Sequence, residues 1–338
     1  MILPYNHNHA AHCESGVMSS LLKHRGFDIS EPLVFGISSV LFFAYIPILK
    51  FGNLPLIAYR SYPGAIIKNF PKKTGMEHFK KQYSDTEKGR EQAMEDLIKT
   101  IDSGQPAGLI TSPYFIPYFP PEMRFQFNAH NIIVYGYEGE QFYVSDPVFS
   151  YPVKISYADL KKARFPKGLA APKGFMHFPL KIPNFIDFHK IIFEAIKKVC
   201  FNMLKIPFPF FGVRAIFYLS KTISKLPQHN NLYARHFLGN IVRMQEEIGT
   251  GGAGFRFIYS AFLQEASEML GLPFLKEASL ELTRAGDSWR EFALLCAKEV
   301  KSRNPVLQLN EITTKLEECG RLEKTFFEGL YNNIVGKK

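Results

Sequence analysis

The period of the hydropathy pattern changes near residue 180, and this constrains the fold more than any other feature of the 338 residues. Upstream, short β-branched and aromatic runs alternate with turn residues and a few short helical stretches. Downstream, apolar residues recur at helical spacing with lysines between them, as in IDFHKIIFEAIKKVCFNML. Further helices are expected over roughly 232–248, 255–270, 275–302 and 308–334. The stretch PKGLAAPKGFMHFPLKIP holds four prolines and two glycines in 18 residues and reads as a linker. These patterns predict an α+β domain over residues 1–180 and a mostly helical domain over 181–338.

Within the first part, Glu14 to Arg25 reads as a helix with a stripe of Val17, Leu21 and Leu22, stopped by Gly26. Residues 75–103 read as polar and helical. HNIIVYGYE and QFYVSDP read as the two strands of a hairpin, with Gly139 in the turn. VKISYADLKKA reads as a short strand leading into a short helix. The run from Leu33 to Leu49 is uncharged over 17 residues, but a membrane span needs about 20 and this run contains Gly36, two serines and Pro47. It reads as buried core, with no membrane span. The first residues have neither a basic nor an apolar signal region, and a cytoplasmic location is expected.

Charge is unevenly distributed. The net value is +10, yet residues 151–243 carry 16 Lys and Arg against 3 Asp and Glu, while the flanking segments are slightly acidic. Such a field suits an acidic protein, an anionic membrane surface or nucleic acid, or is simply a solvated face. No reading motif accompanies it, so specific nucleic-acid recognition is not expected. The 32 phenylalanines imply an aromatic-rich core or an apolar substrate groove. Four cysteines, at 13, 200, 296 and 319, are too far apart in sequence for a CxxC motif and suit a reducing compartment.

Cys13 stands apart from the other three because it immediately precedes a helix. The positive end of a helix macrodipole favours a nucleophilic thiolate, although a cysteine at a helix start is more often structural. The hairpin supplies possible partners. His130 opens its first strand and Asp146 closes its second, so in a regular two-strand register the two are opposite or diagonal. A carboxylate that orients an imidazole, whose other nitrogen faces a thiol, is the base-and-orienter arrangement of nucleophilic catalysis. A surface hairpin with incidental His and Asp fits the same pattern. His7, His9 and His12 crowd the cysteine, but no carboxylate spacing or HExxH supports a metal site, and none is expected. GTGGAG, Gly249 to Gly254, follows a helical stretch and so is no dinucleotide fingerprint. Gly251 and Gly252 at a helix start, beside Arg256, are instead an expected anion site.

The segment HCESGVMSSLLKHRGFDISEPLVFGISSVLFFAY resembles the N-terminal domain of the butirosin biosynthesis protein H family. NAHNIIVYGYEGEQFYVSDP resembles the His and Asp region of that family and, more distantly, of papain-like bacteriocin-processing peptidases. EEIGTGGAGFRFIYSAFLQEA resembles the helical domain that usually follows. The resemblance implies a papain-like cysteine protease fold and acyl transfer from a carrier-protein thioester to a small-molecule amine, with Cys13, His130 and Asp146 as nucleophile, base and orienter. It implies no bound cofactor, because phosphopantetheine arrives on the donor, and Gly251, Gly252 and Arg256 are candidates to receive its phosphate. The related peptidases place a glutamine six residues before the cysteine, where this chain has His7. His7, Asn8 and the Cys13 N–H are therefore candidate oxyanion donors, and His12 belongs to the active-site architecture. The reading is a cytoplasmic cysteine-dependent acyltransferase forming an amide in a specialised metabolite, with an acidic acyl-carrier protein as partner. A papain-like peptidase, amidase or thioesterase and a non-catalytic carrier- or membrane-binding protein are the alternatives.

Overall fold

The computed structural model describes residues 1–168, 170–227 and 232–336, with only the backbone of Phe51. In chain order the elements are α1 (Cys13–His24), α2 (Glu31–Ile37), β1 (Leu41–Phe51), β2 (Leu54–Arg60), α3 (Ala65–Thr74), β3 (Glu77–Lys81), α4 (Glu87–Asp102), β4 (Ala107–Thr111), β5 (His130–Glu138), β6 (Gln141–Ser145), β7 (Val153–Ser156), α5 (Tyr157–Arg164) and β8 (Met176–Lys181). They continue with α6 (Phe188–Leu204), α7 (Gly212–Ile223), α8 (Leu232–Val242), α9 (Arg256–Leu270), α10 (Pro273–Lys301) and α11 (Leu309–Val335). The class is α+β, and the region beyond residue 187 is helical.

The chain forms two compact units, one of residues 1–34 and 63–186, the other of 35–62 and 187–338. A single cut near residue 180 therefore differs from the observed division, because the β1–β2 hairpin groups with the helices. Its turn residues Gly52 and Asn53 both have positive φ, 54° and 67°, the conformation a tight two-residue hairpin turn requires. Phe43 and Tyr59 of this hairpin meet Trp289 of α10 ring to ring, and Phe237, Phe262, Phe292 and Phe327 are wholly buried in the same unit. Much of the aromatic surplus is thus core. The uncharged run from Leu33 to Leu49 ends α2, breaks at Ser39 (φ 56°) and becomes β1. Among the described residues no helix is long and apolar enough to cross a membrane.

The first unit is built on a six-stranded antiparallel sheet in the order β3-β8-β4-β5-β6-β7. Alternation along β5 assigns its faces. Ile132 and Val134 join Leu97 and Ile101 of α4 and Leu160 and Ala163 of α5. Ile133 turns the other way and packs on Val17 and Leu21 of α1. Each such fully buried side chain contributes roughly 1.5–3 kcal/mol. The cysteine-headed α1 thus packs on one face of an antiparallel sheet.

Two expectations are corrected here. Residues 75–103 are not one helical stretch, since Gly75 in the left-handed region ends α3 and residues 77–81 turn into β3. The expected linker contains β8, which lies between β3 and β4. Phe79 stacks on Phe178 across β3 and β8, and Met176 is buried among the α4 and α5 side chains. Pro179 lies beyond the two residues that pair with β4, so its missing N–H breaks no bond on that side.

Candidate functional site

The β5–β6 hairpin sets the geometry through an irregularity. Next to the turn the register is Glu138↔Gln141, Tyr137↔Phe142 and Gly136↔Tyr143, whereas further on it is Val134↔Val144 and Ile133↔Ser145. Tyr135 is an extra residue, a β-bulge. Extended without the bulge, the turn register would set Asp146 opposite Ile133, on the face turned to α1. With the bulge Asp146 falls opposite Ile132, and because faces repeat every second residue it shares the face of His130. The two side chains are then diagonal neighbours, and His130 Nε2 donates to Asp146 Oδ2 at 2.8 Å.

Asp146 is fully buried and held on both oxygens. Oδ2 also accepts from the Tyr118 hydroxyl at 2.9 Å, and Oδ1 accepts from the Val148 N–H at 3.0 Å. Burial drives the Tyr118 phenol well above its ordinary value and the neighbouring carboxylate adds to this, so Tyr118 stays a donor. With Nε2 engaged, His130 keeps Nδ1, and the Cys13 side chain lies close enough to act on the imidazole electrostatically. Burial alone would push the imidazole down. The Asp146 charge and hydrogen bond, with the Cys13 side chain, outweigh it and raise His130 to about 10. The Phe119 ring stands edge-on to the imidazole at 5.3 Å and helps fix its plane.

Cys13 is the first residue of α1 and is half-buried. Its Sγ lies 3.9 Å from the Ala129 carbonyl and 3.9 Å from the amide nitrogen of Asn131. The other three cysteines are buried, and burial pushes all of their thiols up, that of Cys200 to about 12. Glu31 on α2 braces the approach to α1, since its carboxylate accepts from the N–H groups of Ala11 (3.0 Å) and His12 (2.8 Å) and from the Ser15 hydroxyl (3.0 Å). Glu14 caps α3 through the N–H groups of Gly64, Ile66 and Ile67. Gly16 is needed for close approach, because a Cβ there would lie 2.4 Å from Ala10 Cβ and 3.4 Å from Pro147 Cβ. Ala10 N–H donates to the Pro147 carbonyl at 2.9 Å, which ties the leader of the nucleophile helix to the residue after Asp146.

Two expected oxyanion donors have other partners. His7 engages Ser145 Oγ at 2.8 Å and, as a donor, the Phe149 carbonyl at 2.9 Å, so both ring nitrogens are committed. Asn8 donates to the Asn6 carbonyl and to Ser20 Oγ. Their role is to pin the leader. His12 is buried directly before the cysteine, and its N–H is held by Glu31.

The expected anion site at Gly251, Gly252 and Arg256 is contradicted. Arg256 is completely buried, and its Nε and Nη2 form a two-point ion pair with Glu323, at 2.6 and 3.2 Å. Its Nη1 donates to the Gly254 carbonyl, and the guanidinium lies over the rings of Tyr59 and Trp289. The Gly252 N–H donates to Thr250 and the Ala253 N–H to Glu246. These glycines fold a tight connection rather than receive a phosphate. Among the described residues no group of three or more His, Cys, Asp or Glu could hold a metal ion.

Sequence reasoning missed Tyr118, Asn131 and Gly16. The HCESG run hinted at the last, through a small residue one turn after the cysteine. Tyr118 sits in a proline-rich loop with no periodicity to read.

Residues 12–147 match the family described as "Butirosin biosynthesis protein H, N-terminal". Residues 158–330 match "Domain of unknown function (DUF4872)". No curated protein matches the chain. Among solved structures, a C39-like peptidase from Bacillus anthracis is similar, with 16% identity and a TM-score of 0.35 over 54% of this chain and 94% of that chain.

Proposed function

This chain belongs to the family in which a butirosin biosynthesis protein H N-terminal domain precedes a DUF4872 domain, and we propose from that premise that it is a cysteine-dependent acyltransferase. It takes an acyl or aminoacyl group from a carrier-protein thioester and delivers it to a small-molecule amine. One observation carries this reading: Cys13, at the head of α1, has its Sγ 3.9 Å from both the Ala129 carbonyl and the Asn131 amide, the residues flanking a His130 whose Nε2 is anchored on a buried, doubly held Asp146.

The Cys13 thiolate attacks the thioester carbonyl, and the Cys13 N–H, a first-turn group with no intrahelical partner, donates to the oxyanion. The carbon–sulfur bond to the carrier breaks, and His130 protonates the leaving thiol. The amine then attacks the acyl-enzyme, His130 takes its proton, and Cys13 leaves as thiolate with an amide formed. Asp146 holds the imidazole tautomer throughout. The basic segment 151–243 suits an acidic carrier protein, and a cytoplasmic setting suits four unpaired thiols.

The test is intact-mass spectrometry after incubation with acyl-carrier and acyl-thioester donors. Wild-type protein is expected to gain the acyl mass, to lose it to an added amine, and to gain nothing as Cys13→Ala. Release as free acid whether or not amine is present makes the protein a hydrolase. No adduct, with a Cys13 thiol no more reactive toward iodoacetamide than the buried cysteines, leaves the non-catalytic binding reading.

A further inference from the structure

The first unit has a cleft of about 330 Å³ whose lining includes Ser112, Phe115, Gln126, Asn128, Phe165 and Lys167. Two strands carry it to the reacting groups. Thr111 pairs with His130 across β4 and β5, and Ser112 follows Thr111 directly. Asn128 lies two residues before His130, within about 7 Å of it along the chain. Ala129, between them, presents its carbonyl to Cys13 Sγ at 3.9 Å.

The lining is chemically one-sided. Phe115 and Phe165 give it apolar walls, while Gln126 and Asn128 give it amides. Ser112 is wholly buried, and its hydroxyl has no hydrogen-bond partner among the described residues, so it is an unspent donor at the cleft. Lys167 is exposed, and no carboxylate pairs with it among the described residues. The Asn128 amide donates to the Lys167 carbonyl at 3.3 Å and so fixes the lysine's segment to the rim. The lining has one cation and several donors but no acid. Such a cleft repels a polyamine and accepts an anion.

We infer that this cleft receives the acyl chain of the donor and selects a chain that ends in a carboxylate, with Phe115 and Phe165 against its methylenes and Ser112 and Lys167 on its terminal oxygens. This rests on the acyl-Cys13 reading and specifies its substrate. The amine acceptor must then approach from outside the cleft.

The experiment compares N-acetylcysteamine thioesters of three acyl groups of equal length: glutaryl, pentanoyl and 5-aminopentanoyl. The rate of acyl-Cys13 formation is read by mass. Glutaryl is expected to exceed pentanoyl by about tenfold or more in kcat/KM, as a charge-assisted contact implies, with 5-aminopentanoyl slowest. Lys167→Met should bring glutaryl and pentanoyl close to parity through KM, and Ser112→Ala should raise KM for glutaryl alone. Equal rates on the wild type, or a preference untouched by Lys167→Met, overturn the inference while leaving acyl transfer standing. Acylation by none of the three overturns the catalytic reading, and the cleft is then read without chemistry. Glutarate titrated into Cys13→Ala protein and followed by NMR should bind, and should bind more weakly once Lys167→Met is added. Absence of glutarate binding overturns the inference.

Discussion

Three donors converge on Asp146, and only one of them is the imidazole. The fully buried carboxylate is tolerated because each donor replaces a water it has lost. In Asp146→Asn the amide has one acceptor in place of two, and His130 loses the charge that holds it up. His130 is then expected to titrate well below about 10, since burial alone lowers it. The same exchange in a serine-protease triad costs about 10⁴ in kcat, and acyl-Cys13 formation should fall by a comparable factor. Tyr118→Phe removes one donor and keeps the charge. The expected loss is smaller, about tenfold, from one charge-assisted hydrogen bond, and His130 should stay raised. NMR titration of the imidazole alongside the acylation rate separates the two variants. Cys13, His130 and Asp146 were legible because each stands at the end of an element with a clear pattern. Tyr118 was not, since its contact to Asp146 joins segments 28 residues apart, and no local periodicity encodes that distance.

At the scale of elements, the bulge at Tyr135 decides whether the site exists. An even separation of 16 between His130 and Asp146 suggests a shared face, but the register next to the turn, Glu138↔Gln141, would place them on opposite faces. One inserted residue reverses that parity. The bulge is held by a neighbouring segment, with Leu3 N–H on the Tyr135 carbonyl and Tyr137 N–H on the Met1 carbonyl. Gly136 admits this segment, since a Cβ there would stand 2.9 Å from Ile2 Cα. Deleting Tyr135 should restore a regular hairpin and turn Asp146 toward α1. A folded deletion variant, verified by circular dichroism, is expected to lack both acyl-Cys13 formation and the raised His130. A fully active variant would show that the bulge is incidental. Bulges leave little trace in sequence, because one extra residue does not change which residue types favour a strand. β3 and β8 escaped notice for a related reason. EHFKK and MHFPLK are too short and too mixed to show alternation, and partners almost a hundred residues away stabilise them.

For the whole molecule, the change of period at residue 180 revealed the helical half but not the β1–β2 hairpin that groups with it, because contiguity in sequence says nothing of which core a hairpin joins. The first unit also carries a pH signature that only the assembled fold creates. His78 and His177 meet at 3.0 Å between neighbouring strands. Burial lowers His78 to about 3 and takes His177 well below its ordinary value, with Lys80 adding positive charge nearby. Both are neutral when folded but take up protons near 6.5 when unfolded, so the unfolded chain binds more protons as pH falls. Their contribution to stability is intact above about 6.5 and is lost as pH drops toward 3. His130 acts in the opposite sense. Raised to about 10, its contribution is complete below 6.5 and is lost as pH climbs through 10. The unit should therefore be most stable near neutrality, with a histidine-controlled slope on each side. Melting temperatures of the full chain between pH 5 and 10 check this. His78→Gln is expected to flatten the limb between pH 5 and 6.5, above the range where carboxylates titrate. His130→Gln is expected to flatten the limb above 7 and leave the acid limb unchanged. An acid limb unaltered in His78→Gln would mean that His78 exchanges its proton with solvent much as it does in the unfolded chain, and that the neutral pair contributes nothing to the pH dependence.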